Sequence, residues 1–272
     1  MSSDQEYHFV DGAPRIAYLA AGRNDDKPPL ILMHGIGGFS GNWQRQLDAF
    51  SARYSVIAWD ARGYGASDDY EGALDFRDFR EDLARLLDHL GAETAHLCGL
   101  SMGGRIALDF HDKYAPRVAS LLLVDTFPGF DSSFTQEGRE RFVRERRQPL
   151  IEGKEPADIA PLVAPTLVSP SAGQATVDEL IDSMTRLHKE SYIKTVEAMT
   201  MYQPVADLAA ITAPVQIIVG RDDKLTPVSV AEQMAAEISH AKLAVIDDCG
   251  HLSNIEKPEE FNQIVAEFLA SI

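Results

Sequence analysis

Short apolar runs alternate with amphipathic stretches along most of this 272-residue chain, which predicts an α/β fold: a mostly parallel sheet of eight strands with helices on both faces. Runs such as Leu30-Ile31-Leu32-Met33 and Leu121-Leu122-Leu123-Val124 are apolar throughout, as suits strands buried on both faces of a parallel sheet. Phe76, Phe79, Leu83, Leu86, Leu87 and Leu90 recur at helical spacing with charges between them, so Phe76 to Leu90 is expected to be an amphipathic helix closed by Gly91. Between Phe127 and about Gln203 the alternation stops, leaving helical and proline-broken segments with no buried strand. Residues 1–126 and 204–272 are therefore expected to form the core, and 127–203 an inserted helical cap.

The elements follow in order. Tyr7 to Val10 and Arg15 to Ala20 read as strands joined through an Asp11-Gly12 turn, and a polar loop, Gly22 to Pro29, leads into Leu30 to Met33. His34-Gly35-Ile36-Gly37-Gly38 ends that strand. Trp43 to Arg53 reads as a helix, Ser55 to Trp59 as the next buried strand, and Asp60 to Asp69 as a glycine-rich loop. Thr94 to Cys98 is a strand entering Gly99-Leu100-Ser101-Met102-Gly103-Gly104, with a helix expected over Arg105 to Tyr114 and a strand from Leu121 to Val124 ending at Asp125. After the cap, Val215 to Val219 and Leu243 to Ile246 are strands, with a helix near Ser229 to Ser239 and a last helix opened by Pro258 with Glu259 and Glu260 in its first turn.

The formal charge is 25 − 42 = −17, which argues on electrostatic grounds against a nucleic acid or an anionic membrane surface as partner. Met1 to Glu6 has neither a basic flank nor an apolar core, and no apolar stretch is long enough to span a bilayer, so a cytoplasmic protein is expected. Cys98 and Cys249 are too few for a disulfide framework and are expected to be free thiols. No pair of histidines has metal-ligand spacing, no phosphate-binding lysine motif is present, and Ser40 stands where a dinucleotide fingerprint needs its third glycine. No metal and no cofactor is expected.

A serine bracketed by Gly99 and Gly103 at a strand-to-helix turn is forced into a sharp, exposed conformation, which marks Ser101 as a nucleophile. Its hydroxyl needs an imidazole to take the proton and a carboxylate to orient that imidazole. Among the histidines after Ser101, only His251 lies in a tight loop following a strand, as Cys249-Gly250-His251, and it is the expected general base. The strand Val215 to Val219 runs into Gly220-Arg221-Asp222-Asp223-Lys224-Leu225-Thr226-Pro227, where one of Asp222 and Asp223 is expected to serve as the acid; Asp125 ranks below both. Backbone N–H groups of Met102, directly after the nucleophile, and of Ile36 are the expected oxyanion donors, with Gly37 as the alternative to Ile36. His34 is expected to brace its loop.

With these motifs in chain order, the sequence resembles the α/β-hydrolases over nearly everything outside the cap. His34-Gly35-Ile36-Gly37 looks like the oxyanion loop of that family, Gly99 to Gly103 like its nucleophile elbow, Gly220 to Pro227 like its acid turn, and Gly250-His251 like its histidine loop. The family's spacing, an aspartate three after the glycine and four before the proline, implies Asp223 rather than Asp222. Cys98 to Gly104 together with Asp60-Ala61-Arg62-Gly63-Tyr64-Gly65-Ala66-Ser67 is similar to the 3-oxoadipate enol-lactonase branch. The resemblance implies a cofactor-free serine hydrolase of a small ester or lactone. The same fold and triad also serve carbon–carbon bond hydrolases of aromatic ring-cleavage products, and some relatives bind small ligands as receptors without turnover. In the cap, Arg139, Arg141, Arg144, Arg146 and Arg147 are a local reserve of positive charge for an anionic substrate, but Glu137, Glu140, Glu145 and Glu152 stand among or beside them, which favours a solvated ion-pair face. Activity is expected to fall on acidification as His251 protonates, from an unperturbed pKa of about 6.5.

Overall fold

The computed structural model describes residues 6–129, 133, 135–202 and 207–272. The first five residues and the expected cap boundary at 203–204 lie outside the described residues. Eight strands are present: β1 (His8–Val10), β2 (Ile16–Ala21), β3 (Leu30–Met33), β4 (Val56–Trp59), β5 (Ala95–Leu100), β6 (Val118–Val124), β7 (Val215–Gly220) and β8 (Lys242–Ile246). They form one sheet in the order β1-β2-β4-β3-β5-β6-β7-β8. β1 and β2 pair antiparallel, as do β2 and β4, and every other pairing is parallel. β3, β4, β5 and β7 are buried along their whole length, so both faces of the sheet centre are covered. The two polar side chains in these strands, His96 and Gln216, are buried with partners: His96 Nδ1 lies 2.9 Å from Ser120 Oγ, and Gln216 Nε2 donates to Ile217 O (3.0 Å).

From β3 the chain steps outward to β4 and then crosses back to β5 on the other side of β3. Such a reversal opens a crevice at the carboxyl ends of the two diverging strands, where ligands of open α/β sheets bind. On the core, α1 (Gln44–Phe50) and α2 (Arg77–His89) precede β5, and α3 (Met102–Tyr114) follows it. Between β6 and β7 the described residues form α4 (Gln136–Arg146), α5 (Gln148–Ile151), α6 (Pro156–Val163), α7 (Gln174–Thr185) and α8 (Lys189–Met201), with no strand among them. α9 (Val228–Glu237) joins β7 to β8, and α10 (Ser253–Glu256) and α11 (Pro258–Ala270) end the chain.

Two elements depart from expectation. α3 starts at Met102, not Arg105, because Gly103 and Gly104, poor helix formers in isolation, are drawn into the helix by close packing. A Cβ on Gly103 would lie 2.4 Å from Met33 O, so only glycine lets the first turn of α3 approach β3 this closely. The helix expected over Trp43 to Arg53 is a 3-10 turn, Ser40–Trp43, followed by the shorter α1. Its entry is fixed by side chains, with Phe39 N–H donating to Asn42 Oδ1 (3.0 Å) and Ser40 N–H to Asp60 Oδ1 (2.6 Å).

Candidate active site

Ser101 sits between β5 and α3 with φ at 53° and ψ at −112°. That left-handed backbone costs a non-glycine residue of order 1 kcal/mol or more and persists only where its surroundings impose it. Here they do. A Cβ on Gly99 would stand 2.3 Å from the Gly103 carbonyl, Ser101 N–H donates to Val124 O (2.8 Å), and Thr126 Oγ1 donates to Ser101 O (2.6 Å). The strain is carried by the β5–β6 pair, which leaves the hydroxyl free to point away from the sheet.

His251 follows β8 in a loop, and its Nε2 lies 3.0 Å from Ser101 Oγ. Its Nδ1 lies 2.7 Å from Asp223 Oδ2, so the three side chains form one hydrogen-bonded line with Nδ1–H donating to the carboxylate. Ser101, His251 and Asp223 are 5%, 4% and 4% exposed, so the line runs through a medium where water competes little. Burial works to lower the imidazole pKa, but the Asp223 charge, its hydrogen bond and the more distant Asp125 charge outweigh it and hold His251 above its ordinary value.

Of the two aspartates in the acid turn, Asp223 is the one brought to His251. Asp222 is partly exposed, and its N–H ties the turn to Cys249 O (2.8 Å). The Asp223 carboxylate also accepts from Leu225 N–H (2.8 Å), Thr226 N–H (2.9 Å) and Thr226 Oγ1 (2.6 Å). Sequence reasoning passed over Thr226. Its signal was an Asp-x-x-Thr spacing, in which the aspartate caps the amide and hydroxyl three residues on.

Asp125, the lower-ranked acid, is fully buried yet is not the histidine's hydrogen-bond partner. Its Oδ1 accepts from Gly220 N–H (2.9 Å) and its Oδ2 from Ser253 N–H (2.9 Å). Burial, reinforced by the Asp223 charge, raises its pKa to about 7.

Ile36 lines the same cavity as Ser101, and no described residue accepts its N–H; Met102 N–H, at the first position of α3, has no acceptor within the helix. A Cβ on Gly35 would lie 3.3 Å from Ser101 Cβ, so this loop passes directly over the serine. His34 braces it. Ala61 N–H donates to His34 Nε2 (3.1 Å), so the ring proton is on Nδ1 and donates to Gly35 O (2.8 Å). Burial pushes the His34 pKa down to about 4, keeping the ring neutral.

Above these groups lies a cavity with about 640 Å³ of empty space, counted out to its open mouth. Leu100, Val163, Leu180, Met184, Leu225 and Leu252 give it apolar walls. Arg146 is the one charged exception besides His251. The expectation of a solvated arginine face fails here: Arg146 is 7% exposed, lines the cavity, and lies 4.2 Å from the centroid of the Phe142 ring. Among the described residues no carboxylate lies within ion-pairing distance of it, and burial lowers its pKa from the ordinary guanidinium value. The reason is spacing: Phe142, Arg146 and Leu150 fall four residues apart and share the buried side, while Arg141 and Arg144 face solvent. Arg147 pairs with Glu197 on α8 rather than with its neighbours.

The β6–β7 insertion is fastened to the oxyanion loop, the Asp60–Asp69 loop and the histidine loop. Ser183 Oγ on α7 reaches Gly37 O (3.1 Å) and Asn42 Oδ1 (2.9 Å). On α8, Ser191 Oγ donates to Asp69 Oδ1 (2.6 Å), and His188 contacts Asp69 Oδ1 (3.0 Å) and Gly65 O (3.2 Å). The Asp60–Asp69 loop thus seats α8. At the histidine loop, His251 N–H donates to Leu167 O (2.7 Å), and Glu256 accepts both Gly250 N–H and Ser169 N–H (2.9 Å each).

Cys98 and Cys249 are buried free thiols that burial holds above their usual pKa, and among the described residues no cluster of three or more His, Cys, Asp or Glu side chains is arranged to hold a metal ion. Nor is any helix among them long and apolar enough to cross a membrane.

Residues 28–258 match the family model described as alpha/beta hydrolase fold. The chain belongs to that family. Among relatives, this alpha/beta hydrolase is 31% identical to 3-oxoadipate enol-lactonase 1 of Acinetobacter baylyi over 258 residues, covering 91% of each chain. It is 34% identical to the 2-hydroxy-6-oxononadienedioate/2-hydroxy-6-oxononatrienedioate hydrolase of Paraburkholderia phymatum over 254 residues, covering 89% of this chain and 87% of that one. Among solved structures, it is similar to a thermophilic esterase from Thermogutta terrifontis described with malate bound, with a TM-score of 0.86, 28% identity and 99% of both chains covered. The protein is a hydrolase.

Proposed function

We propose that this hydrolase opens small esters or lactones that carry a carboxylate away from the scissile bond, with Ser101 as nucleophile, His251 as general base and Asp223 as the acid that orients it. What supports this above all is the buried line from Ser101 through His251 to Asp223 beneath a cavity lined by Arg146, a cation with no ion-pair partner among the described residues. Ser101 Oγ attacks the carbonyl carbon while His251 Nε2 takes its proton, and Asp223 stabilises the imidazolium. The oxygen that gains charge accepts N–H groups of Ile36 and Met102. The imidazolium then protonates the departing oxygen, and a water activated by His251 releases the acid from Ser101. Residues 127–203 act as the cap that shapes the acyl side.

A guanidinium stripped of water and left without an anion is costly, and a substrate carboxylate removes that cost with charge-assisted hydrogen bonds. The names of both curated relatives denote carboxylates, which agrees with an anion at Arg146. The test is a matched set of esters and lactones with and without a distal carboxylate. Higher kcat/KM for the charged members, lost in an Arg146→Met variant, is expected; equal rates would refute the carboxylate, and a ligand that raises Tm while nothing is consumed would refute turnover itself. The second reading, hydrolysis of a carbon–carbon bond, is favoured by the 34% identity to the dienedioate hydrolase. Turnover of a vinylogous 1,5-diketone with no turnover of an enol-lactone would select it.

A further inference from the structure

Three successive residues at the end of β6 reach the nucleophile turn, the acid turn and the histidine loop. Val124 O accepts from Ser101 N–H (2.8 Å), the Asp125 carboxylate accepts from Gly220 and Ser253 N–H (2.9 Å each), and Thr126 Oγ1 donates to Ser101 O (2.6 Å). Gly220 closes β7 and accepts from Asp223 N–H (3.2 Å), so it is the root of the acid turn. Ser253 stands two residues after His251 and opens α10. Asp125 is fully buried and has a left-handed φ of 42°, a conformation that costs energy and must be held by its bonds. Its own N–H donates to Ile218 O (2.8 Å), which locks the residue to β7. A buried carboxylate whose two oxygens each take one backbone amide, from the two different loops that carry Asp223 and His251, is a brace between them.

We propose that Asp125 is a positioning residue for the reaction: it fixes the Asp223 turn and the His251 loop relative to one another, and its charge joins that of Asp223 in favouring the imidazolium. The proposal rests on the assignment of Ser101, His251 and Asp223 made above. The titratable groups facing Asp125 are Asp223 on the β7 turn and His251 and Cys249 on the β8 loop. An asparagine at 125 keeps the shape but retains one carbonyl acceptor, and its amide group opposes the second backbone N–H.

The experiment compares wild type, Asp125→Asn and Ser101→Ala on one ester across pH 5 to 9. Asp125→Asn is expected to lower kcat about 10- to 100-fold with KM changed less than about threefold, as for loss of orientation without loss of binding. The acid limb of its pH profile is expected to move to lower pH, because the share of negative charge that Asp125, with its pKa at about 7, carries where His251 titrates is gone. Wild-type kcat with an unmoved limb overturns the proposal; so does a fall in kcat matched by an equal loss of folded protein with the limb unmoved. If Asp125→Asn does not fold, the Ser101→Ala protein decides by NMR. There the Gly220 and Ser253 amide protons should titrate with the midpoint of the His251 ring; amides that stay fixed while the ring titrates overturn the proposal. Full activity of Ser101→Ala would instead sink the nucleophile assignment, a separate failure.

Discussion

The strand ends of the sheet and the helical insertion between β6 and β7 form the floor and roof of one cavity, but they are built by different means. At the strand ends Ser101 is fixed by Val124 and the glycines around it and Asp223 by the amides of Leu225 and Thr226, whereas His251 is held from the insertion as well, its N–H donating to Leu167 O. In the insertion the contacts to the floor run largely through side chains, Ser183, His188 and Ser191 among them, and among the described residues no carboxylate pairs with the buried Arg146. The contrast points to a division of work, with the proposed chemistry on a pre-organised floor and choice of substrate in the walls of the roof, which can change so long as the Leu167 and Ser169 contacts to the histidine loop are kept.

That division can be broken most severely at the floor. Ser101→Ala should reduce kcat about 10³-fold or more with no loss of thermal stability, checked by steady-state kinetics and a melting curve. The roof should respond differently. Arg146→Met should lower kcat/KM for a carboxylate-bearing ester about 10- to 100-fold, the loss of a charged hydrogen bond, while a neutral ester of equal size reacts as before. If both esters suffer alike, Arg146 shapes the cavity rather than selecting charge.

Smaller effects sharpen the floor. Thr226→Val removes the hydroxyl that donates to Asp223 Oδ2 and should cost kcat about tenfold or less, with KM unchanged. The pH profile is the mildest test. Because Asp223 and Asp125 hold the His251 pKa above its ordinary value, the base is protonated earlier on acidification, and the acid limb should have its midpoint above about 6.5. A midpoint below that value would mean that burial, not the carboxylates, governs the ring.

How far each region was legible follows from the same contrast. Central strands were readable because runs such as Leu121 to Val124 have no alternative in water, Ser101 because a glycine turn after a buried strand tolerates few residue types, and His251 because it stands in a glycine loop just after a strand. Asp223 was separable from Asp222 only by the family's spacing, since two adjacent carboxylates at one strand end look equivalent until the turn is drawn. The start of α3 was misplaced because local propensity penalises Gly103 and Gly104, whereas close approach to Met33 requires a glycine at 103. In the insertion, Arg146 was hidden among four neighbouring arginines, and the four-residue spacing from Phe142 to Leu150 was its one signal. From sequence Asp125 is only the lowest-ranked acid; its hydrogen bonds join β6 to two loops about a hundred or more residues away, which no local pattern encodes.

The role proposed for Ser101 is to form the bond to the substrate's acyl carbon. Incubating the protein with an activated ester, quenching in acid during turnover and mapping the peptides by mass spectrometry tests it directly. An acyl group on the peptide containing Ser101, absent from Ser101→Ala, is the predicted result. Turnover without any adduct at Ser101, or an adduct on another residue that the substitution leaves in place, would contradict it.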